Sequence, residues 1–236
     1  MAGRGELRQG NNLFLTDLDG DGWLELNRAG MGASLNVIDG TVSIGGRIDM
    51  TVSGDTVGIL DVQQAMVDAD RPLLGHSGAV AQVLLTEAGH LSIGQAALSN
   101  RANSDKSLQT RALVEGPGSR WDVDGTLTLG WLGDGQSDTL LSVDVLDGGV
   151  ITSNLGLLAA RDSLEIGPHN AIVEVTVGGS DSRWDITSDL GIAGDTDGSS
   201  DGVAGTATLN IVEGGAVTSR DAWVAEEAEP SSSAAA

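Results

Sequence analysis

Short runs of aliphatic residues alternate with polar ones along most of the chain. Val42, Ile44, Ile48, Met50 and Val52 fall at even spacing, as do Leu127 and Leu129, and Leu141, Val143 and Val145. A denser run, Ile172, Val173, Val175 and Val177, follows further on. Period two over a few residues, bounded by Gly, Asp, Asn and Ser, predicts β-strands with one buried face. Helical spacing is scarce: a short helix competes with strand only over 59–69 (ILDVQQAMVDA) and 222–228.

The strands recur in a fixed order. VEGPGSRWDV at 114–123 matches VGGSDSRWDI at 177–186, with Trp121 and Trp184 63 residues apart. LSVDVLDGGVITS (141–153) follows the first and LNIVEGGAVTS (209–219) the second, while VLLTEAGHLS (83–92) and LNVIDGTVS (35–43) are weaker copies upstream. Gly40, Gly89, Gly149 and Gly215 mark the same place in the four copies, 49, 60 and 66 residues apart. Such uneven spacing predicts connections of differing length on a constant frame. Between these elements come Leu-Gly or Ile-Gly steps, at Leu74-Gly75, Ile93-Gly94, Leu129-Gly130 and Leu190-Gly191.

Repeats of this kind suit stacking. A coil of ~20 residues buries five or six aliphatic side chains at roughly 1.5–3 kcal/mol each. Ordering its backbone costs about 1–2 kcal/mol per residue. One coil is unstable alone, and stacked coils are stable together because each dries and hydrogen-bonds the next. The expected fold is therefore an all-β, parallel β-solenoid with irregular loop insertions over 1–229, followed by a disordered tail or linker over 230–236. On this reckoning the 63-residue unit holds three coils, which places Trp121 and Trp184 about 14 Å apart at ~4.8 Å per strand. An antiparallel sandwich is the rival, since it too has many short strands.

Composition narrows the function. Among 236 residues there are five Trp, one Phe and no Tyr, so the core is built of small branched side chains. The 35 glycines show no three-residue period, which excludes collagen. With 34 acidic and 12 basic residues the net charge is −22, which repels phosphate backbones and anionic membranes and so argues against both as partners. Absence of cysteine removes disulfides and thiolate chemistry. Residues 1–10 carry no apolar leader and no run of 18 apolar residues occurs, so an export signal is expected to lie outside this segment.

The combination S-R-W-D-(V/I), L-x-(L/I)-G and L-x-(V/I)-x-x-G-G-x-(V/I)-T-S resembles the repeats of type V secretion and PEP-CTERM-associated proteins, clearly over 73–223 and faintly over 12–54. The resemblance implies a right-handed β-helix, an autotransporter-like passenger of the bacterial cell surface or extracellular space, with structural repeat positions and no catalytic residue. Neither a translocator barrel nor a PEP-CTERM anchor accompanies the repeats.

Several groups are candidate sites. Asp17, Asp19 and Asp21, with Gly22 at the sixth position and Glu25 at the ninth, resemble the start of a Ca2+ loop, although position twelve is Arg28 rather than Glu. The alternatives are a dockerin-like or solenoid-turn Ca2+ site and a plain acidic turn. The looser acidic stretch 195–202 reads as a solvated loop. Alternation puts Trp121 and Val123, like Trp184 and Ile186, on the core face, with Arg120, Asp122, Arg183 and Asp185 outside. His76, His90 and His169 have no ligand spacing. No nucleophile elbow, phosphate loop or zinc-protease helix is present. The primary expectation is a non-catalytic structural stalk or adhesin-like passenger meeting a protein or glycan surface ligand. The alternatives are a polysaccharide hydrolase or lyase on the same scaffold and a Ca2+-dependent interaction module. An uncovered solenoid end also predicts end-to-end self-association.

Overall fold

A computed structural model describes residues 3–8, 12–15, 24–25, 33–50, 57–69, 73–75, 80–98, 110–130, 139–159, 171–193 and 205–224. Every strand pair in it is parallel, and no helix occurs among the described residues. The chain winds through eight coils, each laying one strand in each of three lanes. The first lane is an eight-stranded sheet made of Gly3–Arg8, Ala33–Ile38, Val57–Gln63, Val80–Thr86, Thr110–Glu115, Thr139–Leu146, Ala171–Gly178 and Thr206–Val212, stacked in chain order.

The other two lanes form one fourteen-stranded sheet. In the second lane lie Asn12–Leu15, Thr41–Ile44, Met66–Ala69, His90–Ile93, Arg183–Ile186 and Ala216–Thr218; in the third, Leu24–Glu25, Ile48–Asp49, Leu73–Gly75, Ala96–Leu98, Asp189–Ile192 and Asp221–Val224. Coils 5 and 6 bridge both lanes with single strands, Arg120–Leu129 and Val150–Leu158, whose pairing shifts register between Val123 and Thr126. This bulge makes the bend that the other coils make with a break.

The expected parallel solenoid is therefore the observed fold, but its coils are longer than the sequence suggested. First-lane strands recur after 23 residues at the shortest, Val57 to Val80, and 35 at the longest, Ala171 to Thr206. The 63-residue unit is two coils, not three: Trp121 is in register with Ile151, and Ile151 with Trp184. Two strand spacings put the tryptophans about 9.6 Å apart rather than 14 Å. The helix weighed over 59–69 is absent, because those residues supply the strands Val57–Gln63 and Met66–Ala69, buried at every second position. The start of 222–228 is likewise strand, Asp221–Val224, and its remainder lies outside the described residues.

Length variation concentrates at one corner. The first corner, between the first and second lanes, is tight throughout, from Asp39-Gly40 in coil 2 to 179–182 in coil 7. The corner from the third lane back to the first takes 76–79 at its shortest and 99–109, 159–170 and 193–205 at its longest. Inside, Val62, Val83, Val114, Val143, Val175, Trp121, Ile151 and Trp184 are fully buried and belong to a single aliphatic column running up the stack.

Candidate functional surface

The first corner shows why alternate coils differ. Its last residue is Gly40, Ala65, Gly89, Ser119, Gly149, Ser182 and Gly215 in coils 2 to 8, and its carbonyl accepts the next coil's N–H: Arg120 N to Gly89 O at 2.9 Å, Val150 N to Ser119 O at 3.0 Å, Arg183 N to Gly149 O at 3.1 Å. Even coils place glycine there. A Cβ on Gly89, Gly149 or Gly215 would collide with the carbonyl of Val62, Val114 or Val177, the first-lane strand of the coil below. Odd coils carry a side chain, and the serines use it. Ser119 Oγ accepts the N–H of Ala88 at 3.1 Å, and Ser182 Oγ accepts that of Gly148 at 2.9 Å, each from the even coil beneath.

The Ser-Arg-Trp-Asp motif thus divides its work by residue. Serine ties the corner to the coil below. Tryptophan fills the core: Trp121 and Trp184 are both 0% exposed, as alternation required. Trp184 donates its indole N–H to Ser153 Oγ at 3.1 Å, and its ring leaves only 2.8 Å for a Cβ on Gly156. Trp121 Nε1 has no partner, since Ile93 holds the place in coil 4 that Ser153 holds in coil 6.

Arginine and aspartate face outward, as expected. Arg120 pairs with Asp122 at 2.6 Å and Arg183 with Asp185 at 2.8 Å. The sequence did not reveal that these aspartates belong to a column. In register from coil 2 to coil 8 stand Ser43, Asp68, Ser92, Asp122, Thr152, Asp185 and Thr218, hydroxyl and carboxylate by turns. A hydroxyl between successive carboxylates spaces them by about 9.6 Å and can donate to one of them. Thr152 donates to Asp122, and Thr218 to Asp185 at 3.1 Å.

Asp122 is the most engaged member. It meets His90 Nε2 at 2.8 Å on the coil below, Arg120 on its own strand and Thr152 on the coil above. Partial burial works to raise its pKa, but the hydrogen bonds from Arg120, Thr152 and His90, with the Arg120 charge, outweigh it and hold the carboxyl below its ordinary value.

Beside this column a groove of about 570 Å3 crosses the first corner of coils 5 to 7, with Arg120 and Arg183 on either side of Val150 and with Asp147 and Asp181 at its rim. The two guanidinium groups are balanced by two carboxylates and tied to aspartates of their own strands, so the groove offers hydrogen bonds without a net field. No nucleophile and base meet in it. Among the described residues no three His, Cys, Asp or Glu side chains converge as metal ligands.

Of the candidate Ca2+ ligands, Asp17, Asp19 and Asp21 lie outside the described residues, and only the backbone of Glu25 is placed, in the third lane of coil 1. The stretch 195–202, Trp131, His76, His169 and the tail 225–236 also fall outside them. Trp223 lies on the outer side of the third lane, over Gly191.

Fold and surface together define the class: a parallel β-solenoid whose coils alternate between two kinds. Beyond that class the comparisons add nothing, because no family model, curated protein or solved structure matches the chain.

Proposed function

We propose that the chain is a non-catalytic segment of an extracellular or cell-surface protein, a stalk or adhesin-like passenger that carries its ligand-binding stretches along the corner between the third and first lanes. One observation carries this reading. The outward side chains of the repeated motif are engaged with neighbouring coils, whereas variation in length is collected at that single corner. A rigid frame with variable connections on one edge suits presentation to a surface ligand, protein or glycan. The likeness of the motif to type V secretion and PEP-CTERM-associated repeats supports export, and the net charge of −22 suits a salt-containing exterior.

The test replaces 99–109, 159–170 and 193–205 with the short sequence of 76–79, HSGA. Beads coated with either protein are then applied to cell monolayers and to immobilised polysaccharides. The shortened protein is expected to keep its β-rich circular dichroism and to lose adhesion. Equal adhesion by both, or antibody labelling of producing cells only after permeabilisation, would overturn the proposal. So would release of new reducing ends from any polysaccharide offered.

A further inference from the structure

The upper face of coil 8 is built like the face between any two coils, yet it is open. Ile211 and Val224 occupy inward positions, in register with Val177 and Ile192 of coil 7. Val177 is 0% exposed, but Ile211 is 50% and Val224 66% exposed. Leu209 and Val217, also inward, are half-buried. All three strands of this coil, Thr206–Val212, Ala216–Thr218 and Asp221–Val224, pair on one side only. None contains a proline or lysine, two of the devices that blunt free strand edges.

We infer that this face docks the first coil of a second copy of the chain, head to tail, as a ninth coil would stack. Four observations select that occupant. The interface would continue one already repeated through the molecule, with parallel pairing in all three lanes. Coil 1 supplies the matching free edge in each lane: Gly3–Arg8, Asn12–Leu15 and Leu24–Glu25. The alternation also continues in phase. Coil 8 is of the glycine kind, through Gly215, and the next coil needs the other kind; register places Asn11 at that position in coil 1. Charge agrees as well. Strand Gly3–Arg8 carries Arg4 and Arg8 against one acid, Glu6, and by register Arg8 falls above Val212, next to Glu213. At the second corner the acidic stretch 17–21 falls above Arg220.

The net charge of −22 opposes association over long range, but at 0.15 M salt the Debye length of about 8 Å is shorter than two coils, about 9.6 Å. Charges deep in either stack are therefore screened, and those at the junction decide. Because the two surfaces differ, the contact is heterologous and does not close on itself, so it makes open chains of growing length rather than a closed dimer.

Sedimentation velocity over a concentration series at 0.15 M salt tests this. The wild-type chain is expected to give a ladder of species that lengthens with concentration. Ile211→Asp puts a charge on the docking face of coil 8, and the pair Arg4→Glu with Arg8→Glu reverses the edge of coil 1 while leaving coil 8 intact. Each is expected to weaken association about tenfold or more. A one-to-one mixture is the decisive arm, because the Ile211→Asp chain keeps a good coil 1 and the arginine variant keeps a good coil 8. The mixture is expected to stop at dimers. A wild-type chain that stays monomeric across the series overturns the inference, as do variants that associate like wild type or a mixture that does not associate. None of these outcomes bears on adhesion by the third corner, so the two proposals fail separately.

Discussion

Trp121 and Trp184 hold the same place in the same motif, both fully buried, yet they should not be worth the same. Replacing either with phenylalanine removes the indole's second ring and leaves a comparable cavity, so that contribution largely cancels between the two. What differs is the indole N–H. Trp184 donates it to Ser153, which is 2% exposed, and the replacement leaves that hydroxyl without its donor at a cost of about 1–3 kcal/mol. Trp121 has a buried N–H with no partner, so replacement relieves a desolvation penalty of about 1–3 kcal/mol. Trp184→Phe should therefore destabilise more than Trp121→Phe by about 2 kcal/mol or more. The assay is urea unfolding followed by far-ultraviolet circular dichroism, comparing midpoints between variants whose slopes agree. Ser153→Ala, alone and with Trp184→Phe, completes a double-mutant cycle whose coupling should be about 1 kcal/mol. Equal losses at the two tryptophans, or a coupling near zero, would refute the assignment of these roles.

Gly149→Ser should destabilise by about 3 kcal/mol, although serine is the natural residue one coil away at Ser119 and Ser182, because its Cβ would meet the Val114 carbonyl; thermal melts would show it, and a neutral result would mean the corner can shift. Asp122 has a depressed pKa when folded, so its contribution is present above the unfolded value of 3.8 and is lost as pH falls through the lower folded value. Asp122→Asn should thus flatten the acid limb of the stability profile below about pH 4 while lowering stability at pH 7, and an unchanged acid limb would count against it. Deleting coil 6 (139–170) sets Asp122 beside Asp185 at one strand spacing, whereas deleting 139–205 sets it beside Thr218 and keeps the alternation. The larger deletion should give the higher melting temperature, and the reverse order would show that the alternation is unimportant.

Much of the fold was legible because it rests on local rules. Period-two runs such as Val143 and Val145 can only bury one face as strands, and the shared parity of Trp121 and Val123 is enough to turn the indole inward. Coil length was not legible, for two separate reasons. The corner from the third lane to the first varies from 76–79 to 193–205, so no fixed period survives in the sequence. Neighbouring coils also differ at the very positions that stand out, Gly149 against Ser182 and Thr152 against Asp185. The repeat the eye finds is therefore the even coils, Gly40, Gly89, Gly149 and Gly215, with an unmarked coil between each pair. The helix weighed over 59–69 failed for a related reason: Gln63, Gln64 and Ala65 make a corner, and a break in period two can look like helical spacing.

The outer column was hidden more deeply. Arg120 with Asp122 reads as an ordinary surface pair, of little weight for stability. Register gives it a different role, since His90 lies 32 residues before Asp122 in a hydrogen-bonded pair and Thr152 lies 30 residues after it. Neither separation follows from spacing rules, because both depend on how long the intervening connections happen to be. The same register turns the functional question around. The most conspicuous motif in the chain is occupied in joining coil to coil, with serine reaching down, threonine reaching to aspartate, and tryptophan turned inward. A residue committed in that way is poorly placed to take a ligand, because a ligand would have to displace a contact that the stack uses. The parts free to diverge without disturbing the stack are the third-to-first connections, which the repeat pattern passes over. In this solenoid, regularity reports on stacking, and specificity belongs to the stretches where the pattern breaks.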